Sequence, residues 1–195
     1  MTEEGAPRAT TAEAPAPAPE GPPPSGSRLA AIAGGLDLVN RAVGAVVAWT
    51  AVAMVLVQFA VVVARHVFGV SSIAATESVL YLHATLFMLG AGYAYLVDAH
   101  VRVDIFYSNM SRRGRAALDV AGNLVFLFPA FLLVLYWTWP TVRRSWAILE
   151  GPISVGGIPA SFLLKSLIPA FCVLLLVQGL ARLLRDIAIL RARPS

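Results

Sequence analysis

Within the stretch YLVDAHVRVDIFY, Tyr95 to Tyr107, four titratable side chains fall inside seven residues: Asp98, His100, Arg102 and Asp104. Such a density could serve proton transfer or metal binding. The same residues could instead neutralise one another at helical spacing. Asp98 and Arg102 are four apart with the acid first, the favourable order, and His100 and Asp104 are also four apart. Glu77, His66, His83 and Lys165 are further ionisable groups near or within long apolar runs. The chain has no Gly-x-Ser-x-Gly, His-Glu-x-x-His or phosphate-cradling glycine loop. Catalytic, cofactor-binding and metal-ligating residues are therefore not expected.

The elements that hold these groups follow from composition. Of 195 residues, 58% are hydrophobic and 13% charged, and mean hydropathy is +0.74, values that belong to an all-α integral membrane protein. Crossing about 30 Å of hydrocarbon takes roughly 20 apolar residues as a helix. Ala42–Ala64 lies between Arg41 and Arg65, Ser78–Val97 between Glu77 and Asp98, and Val120–Val142 between Asp119 and Arg143, all free of charge. A fourth run, Ser166–Ala181, becomes a full span from about Phe162 if Lys165 reaches back to the headgroups along its methylene stem. Four transmembrane helices are predicted, over about 42–64, 78–97, 118–140 and 162–184.

Residues 1–28, rich in Pro, Ala, Glu and Gly, read as a disordered tail. They lack the basic start and apolar core of a cleaved signal, so the first span is expected to insert and stay. Leu29–Arg41 is apolar enough to lie on the membrane surface and lead into helix one, with residues 29–190 forming the membrane domain and 191–195 a short tail. After the second span, Val103, Phe106, Tyr107 and Met110 share one helical face and predict a short interfacial helix. The third span ends in YWTWP, an aromatic belt of Trp137 and Trp139 with Pro140 as terminator. Cys172 is the single cysteine, so no intrachain disulfide is possible.

Lys and Arg set the orientation. Eleven fall on one side (Arg8, Arg28, Arg41, Arg102, Arg112, Arg113, Arg115, Arg182, Arg185, Arg191, Arg193) and four on the other (Arg65, Arg143, Arg144, Lys165). The positive-inside rule then makes both termini and the second loop cytoplasmic. The +4 net charge reads as this topology signal, with no folded basic domain to bind nucleic acid.

No charged residue lies in the middle of a span, whereas a chain that conducts its own substrate keeps ionisable groups there. His66, His83 and His100 fall at an outer boundary, inside a span and at a cytoplasmic boundary, which disfavours a bis-histidine haem and makes His83 a polar contact between helices. Gly44 with Ala48 and Gly90 with Ala94 have the small-xxx-small spacing that lets helix backbones approach closely. The cluster at 98–104 then reads as a solvated boundary or as a docking edge for another protein.

Four spans with both termini inside, Glu77 in ATESVLYLH, and the run His100-Val101-Arg102-Val103-Asp104 resemble the small, DctQ-like membrane subunit of tripartite ATP-independent periplasmic (TRAP) transporters. Ser145, Trp146, Gly156, Gly157, Pro159, Lys165, Ile168 and Pro169 extend the resemblance, which covers roughly Leu36 to Leu190. The chain departs from the family at Ala74, Ala75 and Thr76, where members often carry a tryptophan and a second acid. The resemblance implies a non-catalytic scaffold subunit in a bacterial inner membrane, partnered by a large permease subunit, a periplasmic solute-binding protein and lipid. It implies sodium-coupled import of organic acids, with carboxylates such as dicarboxylates or 2-oxo acids the default solutes. Glu77, His100, Arg102, Asp104, Trp146 and Lys165 are the candidates for partner contact. Two other readings stay open: a self-contained small channel or exporter, which would need Glu77 as its membrane carboxylate, and a haem-binding membrane anchor subunit.

Overall fold

A bilayer core offers the main chain no hydrogen-bond partners, so apolar runs of this length must satisfy their amides internally, as helices. The computed structural model describes residues 28–99 and 110–191, and the regular structure among them is helical throughout. The run His100–Asp104, and Val103, Phe106 and Tyr107 of the expected interfacial helix, lie outside the described residues. Among the described residues, four helical segments are long and apolar enough to cross a membrane: Ala31–Val67, Ile73–Leu96, Arg112–Ala147 and Ser161–Arg191.

Helix α1 runs unbroken from Arg28 to Val67. At 1.5 Å per residue its 40 residues extend about 60 Å, twice the hydrocarbon thickness. The segment 29–41 is thus not a separate surface element. It continues α1 because Asp37 and Asn40 are buried by contacts described below. Helix α2, Ile73–Leu96, is capped by Ser72, whose Oγ accepts from the Ala75 amide at 3.3 Å. At its other end Asp98 adopts φ 55°, and the Ala99 amide reaches back to the Ala94 carbonyl at 2.9 Å. This is a Schellman closure that places an aspartate where glycine is usual.

The third span is one continuous path built from α3, Arg112–Gly122, a π segment, Asn123–Leu127, and α4, Phe128–Ala147. Pro129 has no amide to give the Val125 carbonyl and its ring crowds that oxygen; the wider π turn immediately before it makes room. Pro140 does not end the helix as its position suggested, because α4 continues through it to Ala147. Membrane helices tolerate an internal proline because neighbouring groups and local adjustment of the helix can re-satisfy the carbonyl it frees. Helix α4 closes like α2: Leu149 has φ 45° and the Glu150 amide donates to the Ser145 carbonyl at 3.0 Å.

Helix α5, Ser161–Arg191, is the hub. Eleven of its 31 residues are buried, against two of 24 in α2, and it packs on α1, α2, α3 and α4, while α1 also packs along α2. The buried face of α5 includes Cys172, Leu174, Leu175, Gln178, Ala181, Leu183 and Ala188. Of the predicted small-residue contacts, Gly44 is real: a Cβ there would lie 2.6 Å from the Tyr93 ring of α2. Gly90 is not tight, with Val47 Cγ1 at 3.8 Å. The closest approach on α2 is Gly92, where a Cβ would collide with the Asn40 side chain and come within 3.1 Å of Leu174 Cβ.

Candidate functional site

The charged residues of α5 sit at its two ends. Lys165 and Arg182 are separated by 17 residues, about 25 Å along a helix, close to the thickness of the hydrocarbon. Arg185 follows one turn later. Each of these three cations is met by a carboxylate from a different part of the chain.

At the Arg185 end, α1 and α5 share a buried polar network. Arg185 Nη2 donates to Asp37 Oδ2. Gln178 Nε2 donates to Asp37 Oδ1 at 3.0 Å, and Asn40 Nδ2 donates to Gln178 Oε1 at 2.9 Å. Asn40 is fully buried and Gln178 is 2% exposed. Burying such groups is costly unless they are hydrogen-bonded, so they select one register between the helices. The absent side chain of Gly92 makes the space into which Asn40 fits.

One turn toward the centre, Arg182 spans both carboxylate oxygens of Asp98, with Nη2 3.3 Å from Oδ2. Its guanidinium carbon lies 5.6 Å from the centroid of the Tyr95 ring. Tyr95 OH in turn donates to Asn123 Oδ1 at 2.9 Å. Asn123 is 4% exposed and opens the π segment, so this chain of contacts ties α2, the π segment and α5 together.

The opposite end is organised by two glutamates. Lys165 Nζ donates to Glu150 Oε1 at 2.7 Å, and Ser145 Oγ donates to Glu150 Oε2 at 2.5 Å. The Lys165 ammonium, and after it the Ser145 hydroxyl, hold the Glu150 carboxyl below the usual carboxylate range. Glu77, only 7% exposed, accepts from the Ser154 amide at 3.1 Å and the Ile158 amide at 2.7 Å. It thereby caps the loop between α4 and α5, and Gly157 is required beside it because a Cβ would strike the carboxylate. Ser161 Oγ donates to the Gly151 carbonyl at 2.5 Å, closing the same loop. Trp146 Nε1 donates to Ser166 Oγ at 2.7 Å, and its ring meets Phe162 edge to face at 4.8 Å.

Of the candidates drawn from the sequence, Glu77, Trp146 and Lys165 are therefore brought to one end of the bundle, each engaged within the chain. His100, Arg102 and Asp104 lie outside the described residues. Asp98 finds its partner across the fold in Arg182. His83, expected between helices, is exposed on the outside of α2 and stacks on Phe87 at 6.4 Å. The network of Asp37, Asn40, Gln178 and Arg185 was not anticipated, although Gln178, Arg182 and Arg185 carry a readable i, i+4, i+7 spacing. Among the described residues no group of three or more His, Cys, Asp or Glu side chains is placed to hold a metal ion.

The geometry is that of a membrane bundle whose charged groups fasten helices to one another. Comparison with known proteins agrees in kind. No curated protein matches the chain. The family model described as "Tripartite ATP-independent periplasmic transporters, DctQ component" matches residues 54–189, which include all of α2, α3 and α4 and nearly all of α5. The chain accordingly belongs to the DctQ family and is a multi-pass inner-membrane component of a TRAP transporter.

Proposed function

We propose that the chain is the non-catalytic scaffold subunit of a sodium-coupled TRAP transporter for organic acids, packing against the large permease subunit. The observation that carries this reading is the use made of charge. Lys165, Arg182 and Arg185 are each paired with a carboxylate at an end of α5, and the spans between are free of charged side chains. A protein with its own substrate path keeps charged groups near mid-depth; here the charged side chains Lys165, Arg182 and Arg185 are committed to pairs at the helix ends.

With the orientation given by the Lys and Arg distribution, the Asp37–Arg185 and Asp98–Arg182 contacts face the cytoplasm. Glu77 and the loop it caps then face the periplasm, on the side where a solute-binding protein delivers its cargo. Trp137 and Trp139, 71% and 56% exposed, fix the depth of α4 at that boundary. The solute and sodium sites belong to the large subunit in this reading, and the small one enlarges the fixed body against which they move.

Co-expression tests it. A tagged copy of this chain should retain the large permease subunit through detergent extraction, and deleting the chain should abolish solute uptake by cells that keep the other two components. Uptake that persists undiminished without the chain would contradict the reading.

A further inference from the structure

We infer that the outer face of α2 centred on His83 is the surface that docks on the large permease subunit, an inference that rests on the scaffold reading above. His83 lies ten residues after Ile73 and thirteen before Leu96, about 15 and 20 Å along the axis, and so near the middle of the span. It is nine residues, two and a half turns, from Gly92, whose side of α2 is pressed against Asn40 and Leu174. The imidazole therefore points away from the bundle and is exposed, in a stripe with Thr76, Leu80 and Phe87.

Hydrocarbon cannot cover this stripe without cost. Phe87 offers the His83 ring a stacking face, and the two ring nitrogens make no hydrogen bond among the described residues. An imidazole always carries at least one N–H donor, and a polar group left unpaired in lipid is expensive. Ionisable residues at this depth accordingly face protein or water. A second polar side chain, Gln58 of α1, is exposed at the matching depth, nine residues before the helix ends at Val67. The outer surface of the π segment and α4 presents the opposite character. Leu124, Val125, Phe126, Leu132 and Leu133 are all more than half exposed, with no polar group among them. That surface suits lipid tails, whereas the α2 stripe suits a protein with a hydrogen-bonding group at mid-depth.

The occupant is a transmembrane helix of a different chain. A tripartite transporter is assembled from unlike components, and the large permease subunit is the one that shares the membrane with this chain. Opposite His83 it should carry a hydroxyl, amide or carboxyl side chain, or a carbonyl freed by a helix break.

Site-specific photocrosslinking in membranes that contain the full chain and the large subunit tests the assignment. A benzophenone amino acid at Leu80, His83 or Phe87 should give adducts with the large subunit, and the same group at Val125 or Leu132 should not. His83→Ala should lower recovery of the large subunit about three- to tenfold, the scale of one lost interhelical hydrogen bond. His83→Gln should restore part of it, and neither change should move the thermal midpoint of the isolated chain. Adducts to the large subunit only from Val125 and Leu132, or adducts from His83 to a second copy of this chain, would overturn the assignment and leave the scaffold reading standing. No adduct from any position, together with no co-purification, would overturn both.

Discussion

Asp98 and Arg182 are 84 residues apart in sequence and form a two-pronged ion pair that joins the end of α2 to the C-terminal part of α5. The aspartate is presented by a left-handed turn at φ 55°, and the guanidinium is held over Tyr95. Removing either partner leaves the other charge at the edge of the hydrocarbon. The Asp98 side chain is 44% exposed and that of Arg182 14%, so screening reduces the effect from that of a fully buried pair. Arg182→Ala and Asp98→Ala should each cost about 1–2 kcal/mol. In detergent this appears as a fall of several degrees in thermal midpoint, and the double substitution should cost less than the sum of the two.

Gly92 and Gly90 provide a matched test of close packing on one helix. A methyl at Gly92 would overlap the buried Asn40 amide, which is already committed to Gln178. Gly92→Ala should therefore destabilise the isolated chain by about 1–3 kcal/mol, the usual cost of overpacking. Gly90→Ala, with its nearest neighbour 3.8 Å away, should change the midpoint by less than a degree or raise it. Equal effects at the two positions would contradict this packing.

The Glu77 carboxylate accepts two main-chain amides from the loop that precedes α5. An amide side chain can accept only with its carbonyl, so Glu77→Gln should release one of them and loosen residues 151–160 at a cost of about 1–3 kcal/mol. Limited proteolysis or amide exchange of that loop would report the change. Transport should fall in proportion to the amount of assembled complex; a variant that assembles fully but transports nothing would instead favour Glu77 as part of a substrate path.

Titration of Glu150 supplies a pH signature. Its carboxyl is held below the ordinary value of 4.5 by Lys165 and Ser145. A depressed carboxyl stabilises the folded state above that ordinary value, and the contribution is lost as pH falls from there through the folded pKa. The difference in midpoint between the natural chain and Glu150→Gln should thus be constant from pH 8 to about 5 and shrink below 4.5. A difference that grows on acidification would have the wrong sign.

Leu149 offers a stabilising change. It occupies the left-handed region at φ 45° and is 64% exposed, so it carries the strain of a Cβ in that conformation with little burial in return. Leu149→Gly should raise the midpoint by the equivalent of about 1 kcal/mol. A drop in the midpoint of the isolated chain would contradict the strain assigned to Leu149.

The four spans were legible because hydropathy is local: each run of apolar residues declares itself without knowledge of its neighbours. The pairings were not. Asn40 meets Gln178 across 138 positions and Arg185 meets Asp37 across 148, and the helical spacing of Gln178 and Arg185 marks a shared face without saying which distant residues meet it. Asp37 and Asn40 were read with a surface segment because a helix of 40 residues exceeds what a membrane crossing needs. Pro140 reads as a terminator because proline removes a helical hydrogen bond and crowds the preceding turn, yet membrane helices accommodate internal prolines. Glu77 stands out in the sequence as a candidate for partner contact, yet the groups it accepts from here are main-chain amides, which leave no mark in the sequence.

In the scaffold reading this chain supports transport without conducting solute itself. The most direct measurement is sodium-driven organic-acid uptake into liposomes that contain the purified chain alone, the chain with the large subunit, or the large subunit alone, each with the solute-binding protein present. Uptake should occur only where both membrane subunits are present. Sodium-dependent accumulation by this chain alone, at a rate comparable to the complete system, would contradict the account.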